Sequence, residues 1–206
     1  MKAVIFDLFE TLVDYDDMRS RAFTHAAADL LGRDRDEFHS LWRDGRPARD
    51  SGPLATYIAT LDLDDDLADR LVALRRETGR EVLMGPRHGV VDTLRELRRR
   101  GLKTGLITIC SEDVVDVWPD TPFAGLFDVE VFSCAVGMLK PDPRIYELAC
   151  ERLGVAPSEA VFVGDGANDE LAGAERVGMR AVMIGDGVQG WSGARIASIP
   201  EVLELI

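Results

Sequence analysis

Lysine is scarce in this 206-residue chain: Lys2, Lys103 and Lys140 are the only three among 24 basic residues. Long apolar runs are missing too. Nowhere do about eighteen consecutive apolar residues occur, so no helical membrane span is expected. Residues 1–13 read as a strand and its turn, without the positive start and long apolar run of a signal peptide. Cysteine is limited to Cys110, Cys134 and Cys150, an odd number without metal-ligand spacing. That usage argues against a disulfide framework and fits a reducing cytoplasm. The three histidines, His25, His39 and His88, form no metal pattern. Net positive charge is also absent. At −13, the chain is not expected to take nucleic acid or an anionic membrane as its main partner. A small anionic substrate can still enter a locally positive pocket.

What is present is 46% hydrophobic and 30% charged, enough for one good core and a smaller appendage. Ala3 to Leu8 is a short apolar run of the kind that makes a buried parallel strand. From about Asp16 to Arg80 the pattern turns helical, with Phe23, Ala26, Ala27, Leu30 and Leu31, then Leu67, Leu71 and Leu74, at helical spacing. Between them, Asp44 to Pro53 reads as a connecting loop because it carries Gly45, Pro47, Gly52 and Pro53. A helix is expected over Val90–Leu97, with Arg98–Arg100 complementing its C-terminal dipole. Strand-like runs at 103–109, 128–133, 160–164 and 180–184 alternate with helical stretches near 111–118, 143–153 and 168–177. That alternation implies a parallel sheet covered on both faces, with ligands bound beyond the strand C-termini. The expected fold class is α/β, with a Rossmann-like parallel-sheet core at 1–14 and 83–206 and a small α-helical cap domain at 15–82.

Four clusters fall where such a sheet places its chemistry. Asp7 closes the first strand, and Thr108 ends the run that starts at Leu102. Lys140 precedes Pro141-Asp142-Pro143 and a helix, and Gly164-Asp165-Gly166-Ala167-Asn168-Asp169 joins a strand to another helix. Asp7, Asp165 and Asp169 offer hard carboxylate oxygens suited to Mg²⁺. Gathered without a cation they would repel, and some would stay protonated. Lys140 can offset part of that charge and hold a phosphoryl oxygen, while Thr108 can donate a hydrogen bond to it. One such residue alone could be a capping carboxylate or a surface side chain; all four in chain order at strand ends point to phosphoryl transfer.

The run Phe6-Asp7-Leu8-Phe9-Glu10-Thr11-Leu12 resembles the first motif of the haloacid dehalogenase-like superfamily. Thr108, Lys140-Pro141-Asp142-Pro143 and Gly164-Asp165 through Asp169 are similar to its other three motifs, and the helical insert to its cap. The resemblance implies that Asp7 is the nucleophile and forms an aspartyl intermediate. It implies that Thr108 and Lys140 hold the phosphoryl group or the nucleophile. Asp7, the Phe9 backbone carbonyl and Asp165 would bind Mg²⁺, and Asp169 would support the metal or the lysine.

Phe9 departs from the phosphatase pattern, which carries a second Asp there as general acid and base. An aromatic residue at this position resembles the 2-haloacid dehalogenases, which need no metal. The last motif favours metal and phosphate, because dehalogenases replace its Asp with a Ser/Asn-rich sequence. Superfamily phosphonate hydrolases use a cap lysine, and residues 16–80 contain none. Glu10 stands beside the vacancy as a possible proton carrier, and Arg43, Arg46 and Arg49 as a possible grip on a second anionic group. The expected activity is Mg²⁺-dependent hydrolysis of a small phosphate ester. The alternatives are a 2-haloacid dehalogenase and a non-catalytic ligand-binding protein on a decayed phosphatase scaffold.

Overall fold

The side chains of Ala3–Phe6 (β1) alternate between two hydrophobic clusters, as a strand with a period of two must when both faces are covered. Val4 and Phe6 join one cluster, and Ala3 and Ile5 the other. The computed structural model describes residues 1–186 and 188–206. It shows a six-stranded sheet in the order β3-β2-β1-β4-β5-β6. The other strands are β2 (Lys103–Thr108), β3 (Val129–Phe132), β4 (Ala160–Gly164), β5 (Arg180–Ile184) and β6 (Ala194–Ile196). Every neighbouring pair is parallel. The fold is therefore Rossmann-like α/β. Chain order reverses between β1 and β4, and the crevice at such a switch point is where open parallel sheets bind ligands.

The helices follow in chain order. Five follow β1 directly: α1 (Asp17–Leu31), α2 (Arg35–Asp44), α3 (Arg46–Arg49), α4 (Leu54–Ala59) and α5 (Asp65–Leu83). The sheet is accompanied by α6 (Val90–Arg99), α7 (Glu112–Val117), α8 (Ser133–Val136), α9 (Pro143–Leu153) and α10 (Glu170–Arg176). Local chemistry sets their ends. Asp16 caps α1 by accepting from Arg19 N, and Gly32 closes it in the left-handed region at φ 64°. Asp142 caps α9, Pro143 occupies its first turn, and Gly154 ends it at φ 65°.

Helices α1, α2, α4 and α5 bury their own cluster around Phe23, Phe38, Trp42, Tyr57 and Leu71, separate from the two sheet-face clusters. Two details differ from the expectation. The stretch Asp44–Pro53 is not loop throughout, because it contains the short helix α3 with Pro47 in its first turn. The edge strand β6 was not foreseen; three residues are too few to establish a period. Among the described residues, no helix is long and apolar enough to cross a membrane.

Candidate active site

Asp7 leaves the end of β1 with its backbone N–H donating to Val163 O at 2.9 Å, which ties it to β4. The next turn is tight: Leu12 N and Val13 N both donate to Leu8 O, at 2.7 and 3.1 Å. Glu10 is held in the left-handed region at φ 57°, a conformation that costs a non-glycine residue about 1–3 kcal/mol. Its carboxylate accepts from Tyr15 N and faces Arg87 Nη2 at 3.2 Å, and Arg87 Nη1 also donates to Glu10 O. Both carboxylate oxygens are thus committed to holding the turn. Phe9 is half-buried, with its ring 5.4 Å from that of Tyr15.

Lys140 is buried, and its ammonium donates to Asp7 Oδ1 and, at 2.5 Å, to Glu170 Oε2. Glu170 was not singled out in the sequence. It opens α10 after two left-handed residues, Asn168 and Asp169, both at φ 55°. That turn leaves Asp169 exposed and folds Glu170 inward to 1% exposure. The glycines of the motif make room for it. A Cβ at Gly164 would lie 2.0 Å from Glu170 Oε1, and Gly166, at φ 91°, donates its N–H to that same oxygen at 3.0 Å. Nothing in the sequence ranks Glu170 above its neighbour Asp169, so no signal there could have found it.

Asp7, Asp165 and Glu170 each offer a ligand atom, and all these atoms lie within 4.8 Å of one another. Asp169 stands outside this group. Thr108 is fully buried at the end of β2, and among the described residues its Oγ1 has no hydrogen-bond partner. Burial raises the Asp7 carboxyl above the ordinary range against the pull of Lys140. Burial likewise pushes Glu170 up to about 8, with Lys140 opposing and Asp7 adding to the shift. Burial alone would lower the Lys140 ammonium, but the Asp7 and Glu170 carboxylates outweigh it and hold the group protonated. The Lys140 ammonium bonds Asp7 and Glu170, and among the described residues the Asp165 carboxylate beside them has no basic partner, so negative charge is left over. Hard oxygen donors with uncompensated charge fit a divalent cation such as Mg²⁺.

Above this cluster lies a cavity of about 330 Å³, lined by Asp7, Phe9, Lys140, Asp165 and Glu170 around the strand ends and by Trp42, Arg46, Arg49 and Arg75 from α2, α3 and α5. The helices between β1 and α6 are joined to the rest of the molecule by three polar contacts. Leu54 N donates to Glu112 Oε2 at 2.7 Å, Ser133 Oγ donates to Asp50 O at 2.6 Å, and Arg75 pairs with Asp113 at 3.2 Å.

A family model described as haloacid dehalogenase-like hydrolase matches residues 1–178. The chain belongs to the haloacid dehalogenase-like hydrolases. The chain is 30% identical over 193 residues to phosphatase MT3486 of Mycobacterium tuberculosis, a match spanning 89% of this chain and 87% of that protein. A second relative is the glyceraldehyde 3-phosphate phosphatase of Methanopyrus kandleri, 40% identical over 102 residues. That match spans 48% of this chain and 43% of that protein, so this chain covers less than half of its length. Among solved structures, a haloacid dehalogenase-like phosphatase from Thermococcus onnurineus superposes with a TM-score of 0.76 at 27% identity. That superposition covers 100% of this chain and 97% of the other.

Proposed function

We propose that this hydrolase cleaves small phosphate esters with Asp7 as nucleophile and Mg²⁺ as cofactor. The observation that carries this reading is the buried Asp7–Lys140–Glu170 chain with the Asp165 carboxylate beside it. The names of the relatives, a phosphatase and a glyceraldehyde 3-phosphate phosphatase, point the same way. Asp7 and Asp165 would hold the metal together with the Phe9 backbone carbonyl, and Glu170 would take the part expected of Asp169 in holding Lys140. When bound, Mg²⁺ supplies positive charge that offsets the phosphoryl oxygens and the carboxylates around them.

In the first step an Asp7 carboxylate oxygen bonds to phosphorus, the ester P–O bond breaks, and the leaving oxygen takes a proton from water. In the second step water attacks the aspartyl-phosphate phosphorus, the bond to Asp7 breaks, and inorganic phosphate departs. Lys140 orients the nucleophile throughout and screens the incoming anion. The Thr108 hydroxyl, which has no partner among the described residues, is assigned as a donor to a phosphoryl oxygen. Residues 1–14 and 83–206 act as the catalytic core, and 15–82 as a cap that closes the site from water. Three free, buried thiols fit action in a reducing cytoplasm.

Phe9 favours a second reading, a metal-independent 2-haloacid dehalogenase, because it cannot transfer a proton. A panel of phosphate esters and 2-haloacids, run with Mg²⁺ and with chelator, separates the two. Phosphate release that needs Mg²⁺ and is lost in Asp7→Asn is expected. Halide release undiminished by chelator would overturn the phosphatase reading.

A further inference from the structure

We propose that Cys110 and Cys134 form a site of reversible oxidation, where a peroxide joins the two thiols in a disulfide and lowers turnover in the neighbouring cavity. The effect on turnover rests on the phosphatase reading; the oxidation itself does not.

The sheet brings the two cysteines together. β2 and β3 are parallel neighbours, with Thr108 at the end of one in register with Phe132 at the end of the other. Cys110 and Cys134 each lie two residues beyond that matched pair, so both emerge at the same end of the sheet. Ser133 ties the two segments: its Oγ accepts from Cys110 N at 2.9 Å and donates to Asp50 O at 2.6 Å. The thiols are hydrogen-bonded to each other. Both are buried, Cys134 being the more exposed at 8% against 3%, and Cys110 lines the cavity. Two small apolar side chains would fill the same space, but neither would donate to the other.

The two sulfurs are not equivalent. Burial, reinforced by the Cys134 contact, raises the Cys110 thiol well above its ordinary range. Cys134 moves the other way, because the hydrogen bond from Cys110 favours its thiolate against burial and the Glu112, Asp113 and Asp50 carboxylates. Cys110 thus keeps its proton and Cys134 carries the thiolate character that attacks a peroxide. Cys150 supplies a contrast within the same chain. It packs in the cluster on the other face of the sheet, and burial pushes its thiol up to about 11.

In the first step the Cys134 thiolate bonds to one peroxide oxygen, the O–O bond breaks and hydroxide leaves, giving a sulfenic acid. The Cys110 sulfur then bonds to the Cys134 sulfur, the S–O bond breaks, and the hydroxyl departs as water with the Cys110 proton. The hydroxide from the first step takes up the proton that Cys134 had released. The thiols lose two electrons, and the peroxide becomes two waters. A dithiol reductant reverses the change. Closing the bond turns a hydrogen-bond contact into a covalent one, which draws together the segments after β2 and β3. Thr108 and Ile109 directly precede Cys110, and Ser133 stands between Cys110 N and Asp50 O, so the cavity wall moves with the sulfurs.

The test treats the reduced full chain with an equimolar amount of hydrogen peroxide. Its mass should fall by two hydrogens, and its three titratable thiols, counted in denaturant, should fall to one. A digest made without reductant should link the peptides carrying Cys110 and Cys134, and dithiothreitol should undo the link. Hydrolysis of 4-nitrophenyl phosphate should drop about tenfold or more, since misplacing a reacting group by about 1 Å can cost about 10²-fold, and should recover with reductant. Cys134→Ser should keep the rate of the reduced wild type and lose the response to peroxide. Cys110→Ser should stop at one added oxygen on Cys134. Cys134→Ala replaces Cys134→Ser if the latter does not fold. Oxygen addition without a link in wild type, a link through Cys150, or no reaction overturns the site. A disulfide that leaves hydrolysis unchanged overturns its action on the cavity. A disulfide in a protein whose reduced form hydrolyses no phosphate ester removes the phosphatase reading alone.

Discussion

Two residues, Thr108 and Phe9, carry the sharpest mechanistic questions. Thr108 Oγ1 is buried and has no partner among the described residues, so its hydroxyl gives nothing to the folded state that a methyl would not. Thr108→Val should leave the melting temperature unchanged or slightly higher. Turnover of phosphate esters should drop about tenfold or more, the scale of one lost transition-state hydrogen bond. A drop in stability with activity intact would show a structural hydroxyl. On the proposed phosphatase reading, Phe9 stands where a proton carrier is expected, a group usually worth about 10²–10⁴ in rate. The wild type should therefore favour aryl and acyl phosphates over alkyl phosphates and accumulate phosphoenzyme. Phe9→Asp should raise alkyl phosphate turnover more than aryl, measured as the slope of log kcat/KM against leaving-group pKa. Glu10 is held by Tyr15 N and Arg87, so Glu10→Gln should lower thermal stability and leave that slope unchanged. If Glu10→Gln blocks dephosphorylation while phosphoenzyme still forms, Glu10 is the proton carrier after all.

At the scale of elements, the junction of β4 with α10 decides where the last carboxylate goes. Asp169 and Glu170 are neighbours in sequence, and composition ranks them equally. The two left-handed residues before α10 turn one outward and the other inward onto Lys140. Gly164 is the position that permits this. Adding a Cβ there meets Glu170 Oε1 at 2.0 Å, and that carboxylate cannot swing aside without releasing Lys140 and Gly166 N. Gly164→Ala should cost about 1–3 kcal/mol by overpacking, read from denaturant unfolding. Its loss of kcat should be larger than that of equally destabilised variants elsewhere in the core, because Lys140 loses a positioning partner. Equal losses would mean that Glu170 only fills space.

For the whole molecule, the excess of carboxylates links folding to cations and pH. A divalent ion that binds only the native state stabilises it by about 2.7 kcal/mol at a hundredfold excess over Kd. For a chain of this size that is roughly 5–10 °C in melting temperature. Mg²⁺ should produce such a rise in wild type and much less in Asp165→Asn. Glu170 stands at about 8 in the folded protein against an ordinary 4.5, so between these values the native state holds a proton that the unfolded chain has lost. In chelator, stability should therefore fall as pH rises from about 4.5 to about 8. A flat profile there would show that Glu170 ionises freely. The alternation of short apolar runs with helical periods determined the parallel α/β sheet, because burial on both faces leaves a pattern in the sequence itself. The placing of Asp7, Thr108, Lys140 and Asp165 at strand ends or before a helix was legible for the same reason, each being adjacent to a run it terminates. The choice of Glu170 over Asp169 was not legible, because it turns on two left-handed backbone residues and the space above a glycine. Nor was the meeting of Arg49 with Arg75, since residues from separate helices are brought to one cavity wall only when the cap helices pack around Trp42 and Phe23 and close over the strand ends.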